Sequence, residues 1–234
     1  MLIVVNHLTR MKSGYFCAAG INKSKNTHIR PVILYANLST KLLTCNGGPF
    51  DMAALVDLGM VHYHGAAPET EDHIFNPKYT RLVKYLKPDE FWELINAHSC
   101  PSLREIFGPD LTQHGQGYVV DCGKGICSLG CLLPSDRPRL YINNYGKIRI
   151  SLVEGEFQAG LSVTDLRLYE ADNETPKKKL VYHVSQRIRD GVKVVLGVGL
   201  TRPWKKEGED KALHWLQVNN IHLEDNPTWG FTSS

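Results

Sequence analysis

VKVVLGVGLTRPWKKEGEDKALHWLQVNNIHL, residues Val192 to Leu223, is the stretch on which the reading of the fold turns. Val192, Val194, Leu196, Val198 and Leu200 share one face of an extended chain, and Lys193, Gly197 and Gly199 the other. That period of two, carried by β-branched residues, predicts a strand with one buried face. The glycines leave the opposite face bare, which suits close approach by a ligand or by another backbone. Thr201-Arg202-Pro203-Trp204 breaks the strand, Lys205 to Lys211 forms a charged loop, and His214 to Ile221 resumes an extended pattern. Two strands whose connection leaves through Arg202 and Trp204 and returns through His214 and Trp215 predict a recognition edge.

Outward from this pair, the chain is rich in short strands separated by turn residues. Leu2 to Asn6 is a buried strand with a polar continuation to Lys12; Ser13-Gly14 is a turn; Tyr15 to Ile21 is a second strand. His28 to Leu34 is a third, in which Pro31 demands an edge or a bulge. Leu55 to His62 is a fourth. Strands of this length and spacing predict a small barrel. After Tyr118 strands return, with a hairpin around Asn143-Asn144-Tyr145-Gly146, a bend near Asp165 and a further strand over Leu180 to Val184. Between the two β-rich parts, Lys87-Pro88-Asp89-Glu90 starts a helix with an apolar stripe at Phe91, Leu94, Ile95 and His98. Ser102-x-x-Glu105 then caps a short helical turn. The expected organisation is a β unit over 1–67, a helical connector over 68–117 and a second β unit over 118–234.

A chain of 234 residues with 42% apolar and 22% charged residues belongs with globular proteins, not with disordered or fibrous ones. No apolar run reaches the roughly 20 residues that span a bilayer, so no membrane partner is expected. Met1 to Val5 is too short for a signal core and lacks a basic flank, which predicts a cytoplasmic protein. Net charge is only +3, so clustering carries the electrostatic information. Arg137, Arg139, Lys147 and Arg149 face a single acid over 134–150, and six cations face one over 176–193. Each run also suits an ordinary solvated face. Three of the six cysteines fall at Cys122-x4-Cys127-x3-Cys131, without the paired spacing and four ligands of a structural zinc site. No metal or other cofactor is expected, and Cys127 to Leu133 reads as a strand with cysteine as a small hydrophobe.

Several segments together resemble the prokaryotic dual-OB-domain family. They are Asn6 to Met11, His28 to Pro31, Glu71-Asp72-His73, Ser128 to Cys131, Val163 to Arg167, Leu200 to Trp204 and His214 to Asn220. The resemblance implies a mainly β protein with two OB-like small barrels joined by an α-helical segment, and it implies nucleic-acid or nucleotide binding. Its prokaryotic setting suggests a recognition module within a larger, multi-component system, such as one of anti-phage defence. No catalytic residues follow from it.

Residue chemistry supports three functional classes. The first is recognition of single-stranded DNA or RNA, or of a nucleotide, where cations follow phosphates and aromatic faces stack on bases. Its candidates are Arg10, Arg30 and Arg202 for phosphate, Trp204 and Trp215 for stacking, His214 beside them, and Asn219 and Asn220 for a base edge. Tyr141, Tyr145, Lys147 and Arg149 extend that surface across the hairpin. Core packing for the tryptophans and a strand-end turn for the asparagines are the structural alternatives. The second class is a metal-dependent enzyme acting on nucleotides or nucleic acid, built on Glu69-x-Glu71-Asp72-His73 and His62-x-His64. No phosphate-binding glycine loop or complete catalytic signature accompanies those residues. The third is a non-catalytic adaptor that holds a protein partner on a barrel face.

Overall fold

The computed structural model describes residues 1–12 and 14–229, and two sheets account for most of them. Ser13, half of the expected first turn, lies outside the described residues. The first sheet comprises β1 (Leu2–Arg10), β2 (Tyr15–Asn22), β3 (Thr27–Val32), β4 (Leu38–Ser39), β5 (Ala54–Asp57), β6 (Val61–Tyr63), β7 (Asp72–Phe75) and β8 (Arg81–Tyr85). Its order is β6-β7-β3-β2-β1-β5-β8, with β4 on β2. Pairing of β2 with β3 stops at Ile29, so Pro31 has a neighbour only on the β7 side, where no second ladder needs its missing N–H.

α1 (Pro88–Ala97) and α2 (Leu103–Phe107) flank β9 (Ser99–Cys100). Phe91, Leu94 and Ile95 are the buried stripe of α1, and Ser102 caps α2 by accepting from the Glu105 N–H at 3.2 Å. α1 packs on the first core and α2 on the second. The stretch 68–117 is not helical throughout: β7 and β8 within it complete the first sheet, since their partners β3 and β5 supply ladders that local composition did not reveal. The strand expected over Leu55 to His62 is likewise two, β5 and β6, separated by a turn at Gly59 with φ +69°.

The second sheet takes β10 (Thr112–His114), β11 (Gly117–Asp121), β12 (Leu129–Leu132), β13 (Arg139–Ile142), β14 (Ile148–Glu154), β15 (Phe157–Val163), β16 (Val194–Leu200) and β17 (Leu213–Leu223). Its order is β13-β14-β15-β17-β16-β12-β9, with β11 on β17 and β10 on β11. β17 is the axis, antiparallel to β16 and β11 and parallel to β15 along different parts of its length. Leu180 to Val184 is not a strand but part of α3 (Lys178–Arg189). Val181, Val184 and Ile188 recur at i, i+3 and i+7 and are buried, so the helical period overrides the β-branched composition. The molecule is therefore mainly β, two OB-like units joined by a helical segment. Among the described residues, no helix is long and apolar enough to cross a membrane.

β16 is buried on both faces, in place of the single buried face its alternation predicts. The glycine face receives the first sheet: a Cβ added at Gly197 would lie 3.0 Å from Cε1 of His7 in β1. The seam between the sheets is polar. Asn220 accepts from the Leu8 N–H at 2.8 Å and donates to the Leu8 carbonyl at 3.2 Å, acting as the neighbouring strand that β1 lacks there. His222 Nε2 lies 3.1 Å from the Asn6 carbonyl, and the Arg10 N–H donates to the Thr164 carbonyl. Each bond contributes about 1 kcal/mol net, and each would cost more if left unmade.

Candidate nucleic-acid interface

Two surfaces bring cations and aromatic rings together. The first is a groove of about 560 Å³ between β13 and α3. β13 ends the second sheet, and α3 lies beside it because Val181, Val184 and Ile188 pack into the same core as Leu140 and Ile148. Ser185 Oγ donates to the Leu140 carbonyl at 2.8 Å and sets the helix against the strand. The walls carry Arg137, Arg139, Lys178 and Arg189 with Tyr141 and Tyr182, and among the described residues no carboxylate lines them. The Arg139 guanidinium stands 5.8 Å from the Tyr141 ring centre, and that of Arg189 stands 5.9 Å from the Tyr182 ring. Arg137 donates to the Arg189 carbonyl at 3.3 Å, which joins the two walls. Among the described residues, none of these four cations forms an ion pair. The two basic runs of the sequence, 134–150 and 176–193, thus converge on one surface.

Of the residues expected at a binding surface, Tyr141 lies in this groove. Lys147 is exposed at the tip of the adjoining hairpin, beside Tyr145, which is 87% exposed. Arg149 pairs across from Tyr141, but its guanidinium donates to Ser162 Oγ at 2.7 Å and to the Gly160 carbonyl, along β15.

The second surface is the corner where β16 turns toward β17, and it holds the other expected aromatics. Trp204 is 56% exposed, and its ring centre is 6.4 Å from that of Trp215 at an interplanar angle of 61°. The Trp215 indole N–H donates to the Trp204 carbonyl at 3.0 Å, and Lys206 stands 5.3 Å from the Trp215 ring centre. Arg202 is neutralised twice, by Asp72 at 2.5 Å and Glu69 at 3.3 Å. Lys211 pairs with Asp121, while the loop 205–211 matches three lysines with three acids. The corner is aromatic but electrically balanced.

The remaining expected residues serve the seam: Arg10 is half-buried, and Arg30, His214, Asn219 and Asn220 are buried. Arg30 is buried with its Nε 2.5 Å from Asp72. Arg10 donates to the Asn173 carbonyl at 2.8 Å and stands 4.3 Å from the Tyr169 ring centre. His214 is buried with Nδ1 2.8 Å from the Thr201 carbonyl. Asn219 and Asn220 are buried too, and Asn220 is fully engaged with Leu8. A base edge cannot reach them, because the docked first sheet occupies the face that alternation left open.

The acidic cluster is equally committed. Glu71 accepts from the Ser128 N–H and hydroxyl at 2.8 and 2.9 Å and from the Leu129 N–H at 3.0 Å, pinning β12 to the first sheet. Burial pushes its carboxyl up, against Arg30 and these hydrogen bonds. Asp72 is shared between Arg30 and Arg202, and His73 Nδ1 meets the Glu71 carbonyl at 2.9 Å. Carboxylates held by arginines and backbone N–H groups have few lone pairs left for a cation, which removes the support for a metal-dependent centre at Glu69 to His73.

Arg137, Arg139, Lys178, Tyr182 and Arg189 were not among the site residues expected from sequence. Their signal was present in the two basic runs, but reading 180–184 as a strand concealed that one helix face presents Lys178, Tyr182 and Arg189 together.

A two-sheet β protein with a helical link and a cationic, tyrosine-lined groove falls in the class of OB-type modules. The match to a family model settles the relationship: residues 1–221 match the dual OB-containing domain, and the chain belongs to that family. The architecture suggests a nucleic-acid- or oligonucleotide-binding module. No curated protein and no solved structure matches the chain.

Proposed function

We propose that this chain is a single-stranded nucleic-acid-binding module whose ligand runs along the groove between β13 and α3. The observation that carries the reading is a groove lined by four cations and two tyrosines and, among the described residues, by no carboxylate. Phosphate affinity arises when cations free of acidic partners neutralise phosphates and release the counterions condensed on the strand. Arg137, Arg139, Lys178 and Arg189 have that freedom, whereas Arg202 is already paired with two acids. Tyr141 and Tyr182 offer ring faces to bases, and stacking is open only to bases not already paired in a duplex. Tyr145 and Lys147 at the hairpin tip extend the track. Within a multi-component system the chain would supply recognition while a partner supplies chemistry, and the balanced, aromatic Trp204 corner is the surface suited to such a partner.

Fluorescence anisotropy with labelled single- and double-stranded DNA and RNA across a salt series tests the proposal. Expected is micromolar or tighter binding to single strands that weakens steeply with salt. Absence of binding to all four ligands at low salt refutes it.

A further inference from the structure

Where the two sheets meet, His7 of β1, His28 of β3 and Cys131 of β12 bring one ligand atom each to within 4.8 Å of one another. They are 21 and 103 residues apart in sequence, so no spacing pattern announces them. The strand register puts both histidines on the same face of the first sheet: His7 pairs with Ala19 and His28 with Ile21, two residues further along β2. Gly197 of β16, lacking a side chain, leaves room for the His7 ring.

The hydrogen bonding of this cluster is incomplete. His7 Nε2 and Asn6 Oδ1 are both buried without a partner. Asn6 Nδ2 lies 3.1 Å from His28 Nε2 and 3.3 Å from Cys131 Sγ, which are themselves 3.9 Å apart. Donors around a tetrahedral zinc, with bonds near 2.0 Å to nitrogen and 2.3 Å to sulfur, stand about 3.3–3.6 Å apart. Asn6, His28 and Cys131 stand 3.1–3.9 Å apart and a His7 ring nitrogen lies within 4.8 Å of the last two, so a small inward shift of His7 completes a four-donor shell in which two atoms are now orphaned.

We infer that His7, His28 and Cys131 form a zinc site, with the side-chain oxygen of Asn6 turned inward as the fourth ligand. Two imidazoles and one thiolate are a donor set that suits zinc, and end-for-end rotation of the Asn6 amide places its oxygen where its nitrogen now sits. Binding uses the imidazole lone pairs and displaces the thiol proton to solvent. His28 is half-buried and walls a cleft of about 450 Å³ that opens between the two halves, giving the ion a way in. The site ties β1 and β3 to β12 and so clamps the two sheets together. It is independent of the β13–α3 groove.

The test is a Co2+ titration of the whole chain, stripped with chelator and with its thiols kept reduced. Expected is one equivalent bound with a thiolate-to-cobalt charge-transfer absorption, displaced by Zn2+, and a higher Tm in the zinc-loaded protein than in the stripped one. Cys131→Ser removes the absorption, and Cys127→Ser, a cleft cysteine outside the cluster, keeps it. His28→Gln, with a circular dichroism spectrum like that of the unaltered chain, weakens cobalt binding at least tenfold. The inference is overturned if the unaltered chain shows no thiolate absorption with excess Co2+, if the absorption survives in Cys131→Ser, or if Cys127→Ser abolishes it.

Discussion

In the β13–α3 groove four cations share the walls with two tyrosines, while at the corner after β16 an arginine and a lysine flank two tryptophans. By residue type the corner is the stronger candidate, since tryptophan offers the larger stacking face. The neighbours reverse that ranking. Glu69, Asp72, Asp121 and Glu209 hold Arg202, Lys211 and His114 at the corner, and among the described residues no acid lines the groove. Paired surface charges contribute little further attraction to an incoming anion, whereas unpaired cations in a concave wall reinforce one another. A binding surface of this kind is therefore recognised by the carboxylates it excludes as much as by the cations it contains.

The comparison makes graded predictions. Reversing two groove charges in the double variant Arg139→Glu/Arg189→Glu should weaken single-strand binding on the order of 100-fold at low salt. Its unfolding midpoint should barely move, because both residues are exposed; unchanged anisotropy would return the ligand to the corner. Asn220→Ala acts oppositely. It strands the Leu8 N–H and carbonyl inside the seam and should cost about 2 kcal/mol in urea unfolding, with the affinity of the folded fraction unaltered. A selective loss of affinity in that variant would mean that Asn220 reads bases after all. Tyr182→Ala should cost about tenfold in affinity, within the range measured for removing one base-stacking ring. Lys178→Ala should weaken binding only a few-fold, but should flatten the log–log salt dependence by about 0.7, the share of one phosphate contact on a single strand. The smallest effect belongs to Arg202→Ala/Trp204→Ala, for which we expect less than about a twofold change. A tenfold loss there would invert the comparison and make the balanced corner the binding surface.

How far the sequence carried each of these features depended on range. The β16 and β17 strands, the hairpin at Asn143 to Gly146 and the α1 stripe were legible because their signals repeat within a few residues. Leu180 to Val184 was misread because a five-residue window of β-branched and aromatic residues cannot separate period two from 3.6. Only over the full α3 span do Val181, Val184 and Ile188 declare a helix. β7 and β8 went unread within the supposed connector because short strands take their identity from the partners they join. In the candidate site, Tyr141 was anticipated directly and the groove arginines only as members of charge runs. Arg30, His214, Asn219 and Asn220 looked available because sequence shows the polarity of a side chain but not what has docked over it.

By itself the sequence determined a β-rich globular chain, its principal turns and helix caps, and the two segments that carry excess positive charge. Those properties follow from local periodicity and composition, which act over one or two turns of chain. Tertiary structure alone decided which charges are free, which face of β16 the first sheet covers, and that His7, His28 and Cys131 share one buried point. Each of those outcomes depends on residues that are distant in sequence and meet only when two sheets close on each other, so only the assembled packing determines their burial and pairing.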